Sequence, residues 1–320
     1  MITLRALFSR VRTFFDSPIG RQLRRWGRIS FVGGILAYLV VRLSTIGWSA
    51  FVSSLPTSPI FYLTIGCLYS LLPLSESLIY RRLWNAPAGK ILPVVLGKRA
   101  LNADVVGYTG EVMLYVQSRQ HVAAGARMIR QSIKDNLIVS SLSSLSTAFI
   151  VLTVLLATGQ ILLPNWSQNS FWAVLSVGIL AGVLGLAVYG FRHAIFSLPR
   201  RDLMFMSAVH LTRFLAGFVI QVVQWWSVVP DAPFSSWATL LSAMIVTNRI
   251  PFLPSRDILF AGAGIELSAV VGVPAAVMAG MLLVRTGIDK ILNAGFFLFA
   301  QSARARGAND RPARRYGTDK

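Results

Sequence analysis

The sequence predicts an all-α, polytopic helical membrane protein with about six full spans and two opposed re-entrant hairpins related by an inverted repeat. Three observations lead there. The 320 residues are 54% hydrophobic and only 13% charged, with mean hydropathy +0.61, whereas a soluble domain carries about 25% charged residues. Apolar runs of bilayer-spanning length, roughly 20 residues, recur along the whole chain. Basic residues fall between these runs, and only in alternate connections.

Residues 1–30 read as a basic N-terminal segment. Arginines alternate with Leu, Phe and Trp, and Leu4–Phe15 suits either an amphipathic helix on an anionic surface or a solvated tail. A cleavable signal peptide is not expected, because the apolar run arrives late and no small-residue cleavage site follows it. A transmembrane domain is expected over 31–300, and 301–320 reads as a disordered basic tail. Six full spans fit about 31–52, 59–80, 136–160, 170–191, 204–228 and 270–299. Lys and Arg number 23 in the segments 1–30, 81–90, 118–135, 192–202 and 301–320, against none in 53–58, 161–169 and 229–235. That asymmetry places both termini in the cytoplasm. The net charge of +19 then faces the anionic inner leaflet of a bacterial inner membrane and not nucleic acid.

With the ends so placed, two interrupted apolar pieces cannot cross. Segment 91–117 has to enter and leave by the cytoplasmic face, and 236–266 by the outer face. Non-helical backbone at that depth is tolerated only under protein cover or beside a water-filled cavity. The pieces also share a pattern. Asn102 is followed by Thr109, Glu111 and an apolar triplet, and Asn248 by Ser255, Asp257 and an apolar triplet at the same spacings. Inverted repeats with broken helices meeting near the midplane are a transporter architecture.

Charges at membrane depth carry the chemistry. They include Arg42, Glu76, Glu111, Arg213, Arg249, Arg256, Asp257, Glu266, Arg285, Asp289 and Lys290. Each costs several kcal/mol unless it pairs or lines a cavity. In "NRIPFLPSRDILFAGAGIE", Pro251 and Pro254 break the helix, and Gly262 and Gly264 allow a tight reversal or a close backbone approach. A broken helix exposes N–H groups that suit a phosphate or carboxylate, and Arg249 and Arg256 add bidentate positive charge. In the first hairpin Lys98 and Arg99 precede Asn102, with Gly107 and Gly110 supplying flexibility. The competing explanation is structural pairing, Glu266 with Arg285 or Asp257 with Arg249.

No metal or cofactor is expected. Cys67 is the only cysteine, so no intrachain disulfide can form. His121, His193 and His210 lack ligand spacing, and no phosphate-binding glycine loop or nucleophile elbow occurs.

The block "RIPFLPSRDILFAGAGIELSAVVGVPAAVMAGMLLVRTGIDKIL" resembles the C-terminal signature of the lysylphosphatidylglycerol synthase transmembrane, or flippase-like, family. The matching positions are Pro251, Gly262, Gly264, Glu266, Gly272, Val273 and Arg285. "LNADVVGYTGEVMLYVQSRQ" is similar to that family's first motif through Asn102, Gly110 and Arg119. The chain departs from the pattern at Val105–Val106–Gly107, where a proline is usual, and at Ser255–Arg256–Asp257. The resemblance implies binding or translocation of a lipid with an anionic or lipid-linked head group. It does not carry over aminoacyl transfer, which belongs to a separate cytosolic domain in the name-giving members.

On these grounds Arg249, Arg256, Arg213 and Arg285 are expected to contact the anion, and Asn102 and Asn248 to orient it. Glu111, Asp257 and Glu266 are expected to hold the arginines or to titrate. An intramembrane head-group transferase with Glu111 or Glu266 as general base is a second reading, without a visible nucleophile–base pair. A non-transporting assembly partner of an envelope-lipid or polysaccharide pathway is a third, in which Gly178 and Gly182 pack against another helix.

Overall fold

The computed structural model describes residues 18–104, 109–161, 172, 178–179, 195–248 and 256–309. The regular structure among them is entirely helical. The expected interfacial helix at Leu4–Phe15, most of the 170–191 span, the tail beyond 309, and Gly107, His193, Arg249, Pro251, Pro254 and Ser255 lie outside the described residues.

Helix α1 covers Pro18–Ile46 and α2 Trp48–Ser53. Two expectations change here. The helix starts well before 31, with Pro18 at its first position, where the missing N–H costs nothing. The supposed single span 31–52 breaks at Gly47, whose φ of 98° no side-chain-bearing residue adopts easily. Helix α3 (Pro59–Trp84) opens on Pro59 and closes on Asn85 in the left-handed conformation. Next come α4 (Ala88–Asp104), α5 (Thr109–His121) and α6 (Ala126–Ala157). The chain continues with α7 (Arg200–Trp226), α8 (Phe234–Thr247) and α9 (Arg256–Glu266). The short α10 (Ser268–Val271) ends on Gly272, at φ 68°, before α11 (Ala275–Asn309). The expected span 270–299 therefore loses its first turn to a separate element. Both charged apolar pieces are helix–break–helix units, α4/α5 and α8/α9.

Helices α3, α6 and α7 are long and apolar enough to cross a membrane, at 26, 32 and 27 residues. At 1.5 Å per residue they measure about 39–48 Å against a hydrocarbon core of about 30 Å. The α11 helix is longer, at 35 residues, but holds Arg285, Asp289 and Lys290 within it. The molecule is apolar outside: Val41, Leu63, Leu74, Val219 and Ile291 are all more than half exposed. Inside, Glu76, Lys98, Asp135, Asn136, His210 and Gln224 are buried among apolar side chains. Buried charges under a widely apolar exterior are unusual for a water-soluble fold, and this arrangement suits a membrane.

Two apolar clusters grip opposite ends of α3 and α7. One gathers Phe61, Ile65, Trp225, Trp237, Leu240 and Met281. The other gathers Ile79, Tyr80, Trp84, Ile91, Leu114, Ile129 and Met206. Both helix–break–helix units pack against α11, so that helix carries both hairpins.

Candidate functional site

Along α7, His210, Arg213, Gly217, Gln221 and Gln224 recur at helical spacing and form one polar stripe on an apolar helix. The stripe connects two groups of buried polar side chains.

The first group lies where α3, α4, α5, α6 and α7 meet. Lys98 Nζ of α4 stands 2.7 Å from Glu76 Oε1 of α3 and 3.4 Å from Glu111 Oε1 of α5. The side chains of Lys98 and Glu76 are 7% and 4% exposed. Asn136 of α6 donates to Glu76 Oε1 at 3.3 Å and to the Tyr80 hydroxyl at 3.0 Å, and its Oδ1 meets His210 Nε2 at 2.9 Å. Glu76 Oε2 and His210 Nδ1 are buried and unpartnered among the described residues. Asn102 donates to both Glu111 oxygens, at 3.0 and 3.1 Å, and accepts the Gly110 N–H at 2.9 Å. Its amide is thus spent on closing the α4/α5 hairpin. A Cβ on Gly110 would lie 2.5 Å from the Lys98 carbonyl and 2.6 Å from Asn102 Oδ1. Gly110 serves close approach here, where the sequence suggested flexibility. Arg119 is exposed on the same helix, eight residues or about 12 Å beyond Glu111.

The second group joins α7 to α11. Arg285 donates to Gln221, and to Gln224 Oε1 at 2.7 Å, and stands 3.5 Å from Asp289. Gln224 in turn donates to the Phe61 carbonyl at 3.3 Å. Glu266 does not take Arg285. It takes Arg42 of α1, at 2.7 Å, with a further hydrogen bond from Tyr38. Asp257 takes Lys290 at 3.2 Å. Arg256 donates to the carbonyl of Asn248, at 3.1 Å, one of the orphan acceptors at the end of α8. Asn248 itself is exposed. Gly262 and Gly264 make no reversal, since both are helical. Their missing side chains admit Tyr38 at Gly262, and Leu282 and Leu240 at Gly264.

Two arginines between these groups form no ion pair with a carboxylate among the described residues. Arg99 of α4 lies 4.0 Å over the Tyr69 ring, whose hydroxyl donates to Asn293 at 2.9 Å. Arg213 of α7 donates to the Ser140 hydroxyl at 3.1 Å and lies over the ring of Phe214, with Glu76 within its electrostatic reach, and its Nε is buried without a partner among the described residues. Arg99 is within electrostatic reach of both Arg213 and Arg285. Three guanidinium groups from three helices therefore share one region; among the described residues Asp289 forms an ion pair with one of them, and Glu76 is within electrostatic reach of Arg213.

Of the residues expected at the site, Asn102, Gly110 and Glu111 come together at the first hairpin. Asn248, Arg256 and Asp257 cluster at the second, and Glu266, Arg213 and Arg285 each stand on different partners. Sequence reasoning placed Lys98 and Arg99 in the first hairpin without counting them among the anion contacts, and passed over Asn136, His210, Gln221 and Gln224 as site residues. The stripe on α7 was the readable signal for three of them. Comparison of the chain with protein-family models, with curated proteins and with solved structures finds no match.

Proposed function

We propose that the protein is a flippase-like membrane protein that binds, and moves across the bilayer, a lipid with an anionic or lipid-linked head group. The observation that carries this reading is the pair Arg99 and Arg213, two cations on the middle turns of α4 and α7 without a carboxylate partner among the described residues. A charge at such depth that forms no ion pair is costly, and a phosphate or carboxylate from a ligand offsets that cost with the bidentate geometry guanidinium favours. The six-span topology, both termini in the cytoplasm and the α4/α5 and α8/α9 hairpins as re-entrant inverted repeats belong to the same proposal. So does the family resemblance.

The test is lipid co-purification read by native mass spectrometry. Arg99→Gln with Arg213→Gln should remove one anionic lipid from the protein's complement, weakening its binding about tenfold to a hundredfold, the worth of one charge-assisted hydrogen bond. Equal retention by the double variant ends the proposal. For the topology, a single cysteine at exposed Arg127 should resist an impermeant thiol reagent in right-side-out vesicles, while one at exposed Asp231 should react. Both belong in a Cys67→Ala background, since Cys67 is itself exposed.

A further inference from the structure

A second feature lies at the end of the bundle away from Pro59. Leu78, Arg81, Arg82, Asn85, Ala86 and Pro87, from the last turns of α3 and the bend after it, enclose a groove of about 590 Å³ with Phe205 of α7. That volume is within the usual range for a small-ligand site, about 300–1,000 Å³. Arg82 is fixed in the wall by Asp202, at 3.2 Å, and by the Phe205 ring, 4.2 Å from its guanidinium carbon. Arg81 is exposed and without a side-chain partner among the described residues.

We propose that this groove binds the phosphate of an anionic phospholipid at the membrane–water boundary, with Arg81 as the phosphate ligand. Depth supports the placement: Arg81 lies 22 residues, or about 33 Å, along α3 from Pro59, one hydrocarbon thickness. The surface below it fits a lipid better than a free ion. Leu74 and Leu78, 58% and 50% exposed, stand one turn apart and lead up to the arginines. An acyl chain can lie on that stripe while its phosphate sits at Arg81. The negative end of the α3 dipole opposes an anion here, but with about half a charge against the full charge of Arg81. Asp202 is already committed to Arg82. The site does not depend on transport; it rests only on α3 and α7 crossing the bilayer.

The full chain in detergent, titrated with palmitoyl-oleoyl phosphatidylglycerol and observed by native mass spectrometry, tests this. Wild-type protein should hold, beyond the lipid of the central site, one phosphatidylglycerol that phosphatidylcholine of the same chains does not replace. Arg81→Gln should weaken that binding about tenfold, Arg81→Lys less, and Arg201→Gln not at all. The Arg81-dependent lipid should persist in the Arg99→Gln, Arg213→Gln variant, which separates this site from the central one. Equal binding by wild type and Arg81→Gln, or equal binding of the two lipids, overturns the proposal. So does full competition by millimolar inorganic phosphate, which would make the site one for a free anion.

Discussion

The two helix–break–helix units invite comparison, because the sequence gives them nearly the same pattern and the fold uses them in opposite ways. In the α4/α5 unit the charges turn inward. Lys98 is held by Glu76 and Glu111, with side-chain exposures of 7%, 4% and 13%. In the α8/α9 unit they turn outward, and the Arg42–Glu266 and Lys290–Asp257 pairs are between a third and a half exposed. Charged groups left uncovered by protein cannot face hydrocarbon cheaply, so the second unit must meet water or head groups. A similar series of polar residues thus closes one hairpin on itself and opens the other to solvent.

The largest effect should come from breaking the closed unit. Removing one member of a buried pair typically costs about 3–5 kcal/mol, because the other charge is left uncompensated. Lys98→Met strands both Glu76 and Glu111, so it should lower the thermal unfolding midpoint more than any change to the second hairpin. Adding Glu76→Leu should recover part of the loss. If Lys98→Met shifts the midpoint no more than Arg42→Met, the two hairpins do not differ as the geometry says.

The glycines sharpen the same contrast. At Gly110 a methyl group meets backbone, the Lys98 carbonyl at 2.5 Å, and the hairpin has to part. Gly110→Ala should cost about 1–3 kcal/mol, as overpacking usually does, and should free the Asn102–Glu111 contact. At Gly264 the methyl meets the end of the Leu282 side chain, which can turn. Gly264→Ala should cost less than Gly110→Ala, and thermal melts of the two variants side by side check the order. The reverse order would mean that the α8/α9 unit is the more tightly built.

What the sequence made legible was local. The helix start at Pro59 follows from backbone chemistry that travels with the residue. The grouping of Asn102, Gly110 and Glu111 follows from their nearness in the chain. Long-range partners were not legible. Arg42 and Glu266 stand 224 residues apart, and which face of α1 meets α9 depends on packing around Leu39, Leu43 and Ile265. Glu266 therefore drew the wrong partner, Arg285, because both lie near the C-terminal block. Arg256 reads from sequence as a free cation, yet it caps the carbonyl end of α8. Its side chain answers to a helix terminus, and Asp257 beside it finds Lys290 of α11 instead. The polar stripe of α7 was legible in principle, since its spacing is helical. It was hidden because Gln and His carry no formal charge.

The smallest effect belongs to the open unit and tests it best. Exposed ion pairs contribute about 0.2–1 kcal/mol and weaken with salt, so Arg42→Gln and Glu266→Gln should each lower the melting temperature only slightly. Their double variant should nearly match either single one, since each single change already removes the attraction. Raising the ionic strength from 0.1 to 1 M shortens the screening length from about 10 to 3 Å. That change should erase the difference between wild type and Arg42→Gln while leaving the Lys98→Met defect intact. Tyr38→Phe separates the charge from the hydrogen bond at Glu266. It keeps Arg42 in place and should leave a deficit that salt does not remove. If salt instead spares Arg42→Gln and rescues Lys98→Met, the exposed and enclosed hairpins would have to exchange places.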